Sequence, residues 1–157
     1  MKNAEIKRQI SSLRLLLKNT SEATKGDLEL QAHWARYLCV SAAGILENSV
    51  AEIYGAFVKG AASELVANFV EARLDQIRNP NAEKFVQIAR SFKVSWGDDL
   101  EQFLKVDAQR KDAIDSIMNN RHQISHGNSS GITVARVSAY LDKAEEVLEF
   151  IETQTLI

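Results

Sequence analysis

The stretch Tyr37–Val58, YLCVSAAGILENSVAEIYGAFV, decides the fold of this chain. Its only charged residues are Glu47 and Glu52, and nearly all of its other positions are apolar or small. A helix that is apolar almost all round is stable when other elements surround it. We therefore predict a long second helix at the centre of a helical bundle.

Apolar residues recur at spacings of three and four along the rest of the chain, whereas alternating β patterns are nearly absent. We predict an all-α fold in a single domain over residues 1–157. Helices are expected at 3–19, 27–59, 61–75, 81–92, a short extra helix from a turn at 95–98 to 105, then 107–127, and from 133 onward. The expected boundary residues are Asp27, Pro80, Asp107 and Thr133 at helix starts and Gly127 at a helix end.

The composition narrows the classes of function. A formal net charge of −2 argues against binding of long nucleic acid by bulk electrostatics, so any such contact must be local. A lone Cys39 excludes an internal disulfide framework and favours a reducing compartment, with Cys39 itself as an inert buried thiol. No apolar run suits a bilayer span, and no secretion-type leader is present, so we expect a cytoplasmic protein away from membranes.

The stretch 121–127, RHQISHG, contains an arginine and two histidines, and these residue types indicate a functional site rather than a packing surface. Arg121 is expected at the centre of an apolar helical stripe, at a position typical of leucine. That stripe contains Ile114, Ile117, Met118 and Ile124. A buried charge without a partner costs several kcal/mol, so Arg121 should meet a carboxylate, water, a second subunit or an anionic ligand.

Glu47 is the candidate carboxylate. On the central helix it shares a face with small residues, which let another helix come close. We expect Glu47 to pair with Arg121, and the alternative is that Glu47 simply reaches the edge of the bundle.

Arginine and histidine together can cleave RNA without a metal ion. The reaction needs a base for the ribose 2′ proton, an acid for the leaving 5′ oxygen and cations for the phosphate. Arginine binds phosphate through two nitrogens, and histidine titrates near neutral pH. His126 in the last helical turn is expected to favour its protonated form, which suits a general acid. Arg121 and His126 point about 140° apart on one helix, so one chain holds them poorly for one phosphate.

An arginine, a polar histidine, three further residues, a histidine and a glycine close a long helix here. This pattern resembles the HEPN family, whose signature is Arg, usually followed by Asn, Asp or His, and a later His. The layout around it is most similar to the RiboL-PSP-HEPN branch. The resemblance implies a HEPN-type bundle and an endoribonuclease that uses 2′-OH attack. It also implies a composite site across a homodimer, with Arg121 and His126 catalytic, His122 and Glu47 supporting, and no cofactor.

Three further cations are candidates for RNA binding. Arg110, Lys111 and Arg136 accompany the motif in sequence, and an ordinary solvated surface is the alternative explanation. The expected partners are RNA, a second copy of the chain, and an antitoxin or another protein encoded nearby. A toxin or defence context is expected.

Other classes of function use some of the same residues. His122 and His126 have the i, i+4 spacing of helical zinc ligands, but zinc proteases carry Glu where this chain has Gln123, and His33 is distant in sequence. We therefore expect no metal site. Ser125 lacks the acid-base pair that a nucleophile needs.

A binding module without turnover remains the main alternative. Such a bundle would bind RNA, a nucleotide or another protein through the same Arg121 and His126. A separate HEPN branch, which pairs with a nucleotidyltransferase, carries Tyr where this chain has Asn128. That difference argues against the nucleotidyltransferase partnership.

Overall fold

The computed structural model describes residues 1–156, which form seven helices and no strand. Their bounds are α1 (Ala4–Ala23), α2 (Leu28–Ala61), α3 (Glu64–Leu74), α4 (Ala82–Phe92), α5 (Val94–Val106), α6 (Ala108–Ser125) and α7 (Val134–Thr155). The predicted all-α bundle is therefore confirmed. Within residues 1–156, none of these helices combines the length and hydropathy of a membrane span.

The central position of α2 is also confirmed. It packs against α1, α3, α6 and α7. Its side chains belong to one cluster of buried apolar residues to which all seven helices contribute. The α2 members of that cluster are Ala35, Leu38, Cys39, Ala42, Ala43, Leu46, Val50, Ile53 and Tyr54.

Local hydrogen bonds explain where most helices begin. The side chains of Asp27, Asp107 and Thr133 accept backbone N–H groups at 2.9, 3.0 and 3.2 Å, as the sequence predicted. The first helix extends one turn further than predicted. Thr24 donates its hydroxyl hydrogen bond to the carbonyl of buried Thr20 at 2.7 Å, which satisfies a carbonyl at the helix end.

The boundaries between α2 and α5 differ from the prediction. The backbone at Ala62 is extended, so α3 begins three residues later than expected. The helix α4 begins at Ala82, one residue later than expected, and Asn81 caps it, because its side chain accepts the N–H of Lys84 at 2.9 Å. The predicted turn at 95–98 is helical, since only Lys93 separates α4 from α5.

The relative direction of α2 and α6 positions the motif. The Sγ of Cys39 lies 3.7 Å from the carbonyl oxygen of Ile117, and Leu28, Gln31 and Ala32 line a groove together with residues 130–135. The helices α2 and α6 are therefore antiparallel. The first half of α2 lies beside the C-terminal end of α6, where the RHQISHG stretch is found.

Cys39 is buried as predicted. Its side chain has no exposed surface, and burial raises the pKa of the thiol to about 11. Since the thiolate is the reactive form, this cysteine is inert.

Candidate functional site

The C-terminus of α6 is closed by a Schellman motif. Gly127 has φ +71° and donates its N–H to the carbonyl of Ile124 at 3.1 Å, and Asn128 donates its N–H to Gln123 at 2.9 Å. The side chains of Asn128 and Gln123 form a second hydrogen bond at 2.8 Å. These bonds fix the backbone of His126, which lies between them as the C-cap residue.

The segment that follows is anchored at two points. Ser130 donates its hydroxyl hydrogen bond to the side chain of Asn120 at 2.6 Å, and Ile132 is buried in the core. The connection between α6 and α7 is therefore tied back to α6 at Ser130.

His122 and His126 form a pair at the surface. Their ring centroids are 4.4 Å apart, the planes are inclined by 59°, and both residues are exposed. The backbone N–H of His126 donates to the carbonyl of His122 at 3.2 Å. Two imidazoles therefore lie side by side on a helix end with a fixed backbone.

Arg121 lies one position before this pair and is half-buried. Ser125 donates a hydrogen bond to its backbone carbonyl at 2.8 Å, so Ser125 helps to hold the last turn. The guanidinium of Arg121 has no salt bridge with any residue in the described range 1–156. Its charge is therefore not neutralised by any side chain in that range.

The predicted pairing of Glu47 with Arg121 does not form within the chain. The carboxylate of Glu47 instead accepts the backbone N–H of Asn79. Asn79 has φ +48° and precedes Pro80 in the connection between α3 and α4. The partly buried N–H needs an acceptor, and Glu47 supplies it. The role of Glu47 in the monomer is structural.

Arg110 is also engaged elsewhere than predicted. Its Nε lies 2.8 Å from a carboxylate oxygen of Glu146, and its Nη1 donates to the carbonyl of Phe103 at 3.1 Å. The guanidinium also stacks 3.8 Å from the centroid of the Phe103 ring. Arg110 lies in the first turn of α6, about 16 Å from Arg121 at the usual helical rise. It stabilises the packing of α6 and is not part of a phosphate site around Arg121.

The neighbours of Arg110 form a balanced charge cluster. Lys143 donates to Asp107 and to Glu146, each at 2.9 Å. The hydrogen bond from Lys143 holds the pKa of Asp107 below its ordinary value, and hydrogen bonds from Lys143 and Arg110 do the same for Glu146. Acidic groups therefore match the cations at this end of α6.

The two remaining predicted cations lie at opposite ends of α6. Lys111 pairs with Asp115 at 2.6 Å in the first half of the helix, and Asp115 also accepts the N–H of Ala82 at 2.9 Å. Arg136 is exposed in the first turn of α7, just after the motif, and donates to the Tyr140 hydroxyl at 3.3 Å. Of the three predicted cations, only Arg136 lies near the C-terminal end of α6, where the RHQISHG stretch is found.

Exposed apolar residues on α2 were not anticipated by the sequence analysis. Tyr37 is 58% exposed, Leu30 42%, and Trp34 and Val40 37% each. Trp34 and Tyr37 contact each other edge to face at 5.6 Å. All four lie in the first half of α2 and thus at the motif end. The sequence contains one indication of this exposure, because α2 is apolar on more sides than the neighbouring helices can cover.

One of the comparisons with known proteins identifies a family, and that family agrees with the all-α architecture. The family model described as RiboL-PSP-HEPN matches residues 2–156. No curated protein and no solved structure matches the chain. The family match covers all seven helices, including the RHQISHG stretch at the end of α6. The chain therefore belongs to the RiboL-PSP-HEPN family.

Proposed function

We propose that this chain is an endoribonuclease that cleaves RNA without a metal ion, with Arg121 and His126 as its catalytic residues. One observation carries the proposal: an exposed, backbone-fixed His126 lies next to His122 and five residues after an Arg121 that has no salt bridge with a described residue. An arginine without a carboxylate partner is available to a phosphate.

The chemistry follows from these side chains. A base removes the proton of the ribose 2′ hydroxyl, the 2′ oxygen attacks phosphorus, and an acid protonates the leaving 5′ oxygen. The products are a 2′,3′-cyclic phosphate and a 5′ hydroxyl. His126, exposed at the C-terminus of α6, is the candidate for the acid. Arg121 stabilises the charge that builds on the phosphate, and His122 orients the site through hydrogen bonds.

The working unit in this proposal is a homodimer. Arg121 and His126 point about 140° apart on α6, so one chain presents an incomplete site. A twofold axis beside α6 would bring together two copies of each. The exposed side chains of Leu30, Tyr37 and Val40 on the neighbouring helix α2 support this arrangement, because a second copy would remove them from water.

We further propose a cytoplasmic toxin or defence role with a protein inhibitor encoded nearby. A ribonuclease that acts on cellular RNA has to be restrained until it is needed. The site residues alone do not select one RNA, so the restraint has to come from a partner or a trigger.

The test uses untagged protein and a mixed RNA substrate in EDTA, with analysis of the fragment ends. General acid-base catalysis contributes about 10² to 10⁴ in rate, so His126→Ala should lose at least that factor, and Arg121→Ala should also lose activity. Arg8→Ala is the matched control, because Arg8 is an exposed arginine on α1 that pairs with Glu5.

Three results would contradict the proposal. Cleavage that requires added Mg²⁺ would reject the mechanism, and so would full activity of a folded His126→Ala variant. Tight RNA binding without cleavage would instead favour the alternative of a binding module.

A further inference from the structure

The guanidinium of Arg36 on α2 carries a charge that no described residue neutralises. The residue is half-buried, and its Nε atom is shielded from solvent without a hydrogen-bond acceptor among residues 1–156. No carboxylate in that range lies within salt-bridge distance of it. Because a shielded polar group without a partner is unfavourable, this position calls for an anion from outside the described residues.

The helical phase of α2 directs Arg36 toward α6. Arg36 precedes Cys39 by three residues and is therefore about 60° from it around the helix. The Sγ of Cys39 contacts the carbonyl of Ile117 on α6. Gln31, about 140° from Arg36, donates to the carbonyl of Thr24 at the end of α1 at 3.0 Å. The first helix thus lies on the other side of α2, and Arg36 is on the side of α6.

Arg36 and Arg121 lie at similar heights between these two helices. The contact of Cys39 with Ile117 marks one height on both. Because the helices are antiparallel, Arg36 lies about 4.5 Å and Arg121 about 6 Å beyond that contact in the same direction. Arg121 is also only about 40° from buried Ile117 around α6. Two half-buried arginines therefore face the same part of the space between α2 and α6.

The chain segments around this pair contain no acidic residue. On α2 there is no Asp or Glu between Glu29 and Glu47, and further along the chain there is none between Asp115 and Asp142. The same segments contain all three histidines. Neighbouring guanidinium groups repel each other unless an anion lies between them. This end of the bundle therefore favours an anion, although the whole chain has a formal net charge of −2.

We propose that Arg36 and Arg121 together bind one phosphate group of RNA. Each planar guanidinium can donate two parallel hydrogen bonds to phosphate oxygens, which a lysine cannot do. The anion site stands on the two arginines, whereas the choice of RNA as its ligand rests on the function proposed above. Arg36 is a substrate-binding residue from α2 in a site whose other members belong to α6.

The binding is tested with a dye-labelled 2′-O-methyl RNA oligonucleotide, which cannot be cleaved by 2′-OH attack, in fluorescence anisotropy. Arg36→Met removes the charge and keeps an apolar stem. It should weaken RNA affinity by at least about tenfold and reduce the slope of log affinity against log salt by about one. Arg14→Met is the matched control, because Arg14 on α1 is paired with Asp142 at 2.7 Å. Equal RNA affinity of Arg36→Met and the parent chain would overturn the site.

Thermal unfolding and light scattering without RNA separate binding from a structural role. Arg36→Met should keep or raise the melting temperature, because it removes a half-buried charge that has no partner. Its molar mass in solution should equal that of the parent chain. A clearly lower melting temperature, or a smaller molar mass, would overturn the proposal, because Arg36 would then act in folding or in assembly.

A double-mutant cycle tests whether the two arginines share a phosphate. Arg36→Met and Arg121→Met are measured singly and together with the 2′-O-methyl RNA. If both side chains bind one phosphate, the combined loss of affinity should be smaller than the product of the two single losses. A combined loss equal to that product would overturn the shared phosphate.

Cleavage of ordinary RNA by the same proteins separates this proposal from the proposed function. If the parent chain cleaves RNA and Arg36→Met binds and cleaves it equally well, the arginine pair is wrong and the ribonuclease stands. If the parent chain binds the 2′-O-methyl RNA through Arg36 and Arg121 but cleaves no RNA, the ribonuclease is wrong and the phosphate site stands.

Discussion

Gly97 on α5 lies against Arg90 on α4 without room for a side chain. A Cβ atom built on Gly97 would be 2.4 Å from the Cβ of Arg90 and 2.9 Å from its Cα. Arg90 also binds Asp98 and Glu101 of α5 at 2.9 and 3.0 Å. The short connection through Lys93 therefore depends on this close contact.

Gly97→Ala should destabilise the fold. Overpacking of this kind costs about 1 to 3 kcal/mol, because the colliding atoms belong to the rigid part of Arg90. Urea unfolding measures the effect. Gly60→Ala is the matched control, since Gly60 is helical with no atom within 4 Å of its added Cβ. That control should be neutral or gain up to about 1 kcal/mol. Equal stability of the two variants would contradict the contact.

Glu47→Ala should lower stability without altering cleavage by the folded protein. The change leaves the N–H of Asn79 without its acceptor, which costs about 1 to 3 kcal/mol. At roughly 2 to 4 °C per kcal/mol for a chain of this size, the melting temperature should fall by a few degrees or more. Glu22→Ala, at an exposed position on α1, should not move it. Lost cleavage at unchanged stability would instead restore Glu47 as a partner of Arg121 in the working dimer.

Arg136 and Arg110 should behave differently when replaced by alanine. Arg136→Ala should weaken RNA binding and reduce the slope of log affinity against log salt by about one contact, because Arg136 is exposed at the motif end. Arg110→Ala should mainly lower the free energy of unfolding, since it removes contacts with Glu146 and Phe103. If Arg110→Ala instead weakened RNA binding and Arg136→Ala lowered the free energy of unfolding, RNA would have to bind at the other end of α6.

Tyr37→Asp should convert the proposed dimer into a monomer and abolish cleavage. Among the exposed apolar residues Leu30, Trp34, Tyr37 and Val40 of α2, Tyr37 is the most exposed, and a carboxylate in its place would be buried without a partner at the interface. Leu65→Asp is the matched control, because Leu65 is 83% exposed on α3. Light scattering should show a monomer for the first variant and a dimer for the second.

Mixed dimers test the composite site more directly. Inactive Arg121→Ala chains are unfolded and refolded together with wild type at varied ratios. If both arginines are needed, activity should fall with the square of the wild-type fraction. Activity proportional to that fraction, after subunit exchange is verified, would argue for independent sites.

The sequence predicted the parts of the fold that depend on near neighbours. Asp27, Asp107 and Thr133 cap helices through bonds to residues two or three positions later, so each cap is visible in a short stretch. The start of α5 was missed because the close contact of Gly97 with Arg90 belongs to the packed helix pair and is not a property of the turn sequence.

The sequence predicted the end of α6 and the proximity of His122 and His126, but it did not predict the partners of Glu47 and Arg110. Gly127 marks the end of α6, and the i, i+4 spacing places His122 beside His126. By contrast, Glu47 meets Asn79 and Arg110 meets Glu146 over separations of more than 30 residues along the chain. Charge and helical phase alone do not identify such distant partners.

The burial of Cys39 makes the chain a convenient starting point for site-specific labelling. It is the only cysteine, and its raised pKa of about 11 keeps the thiol out of reaction with maleimides near neutral pH. A cysteine introduced at exposed Ser129, just after the motif, would therefore be the single attachment point for a spin label. The distance between two such labels would then report how closely the two motif ends approach in solution.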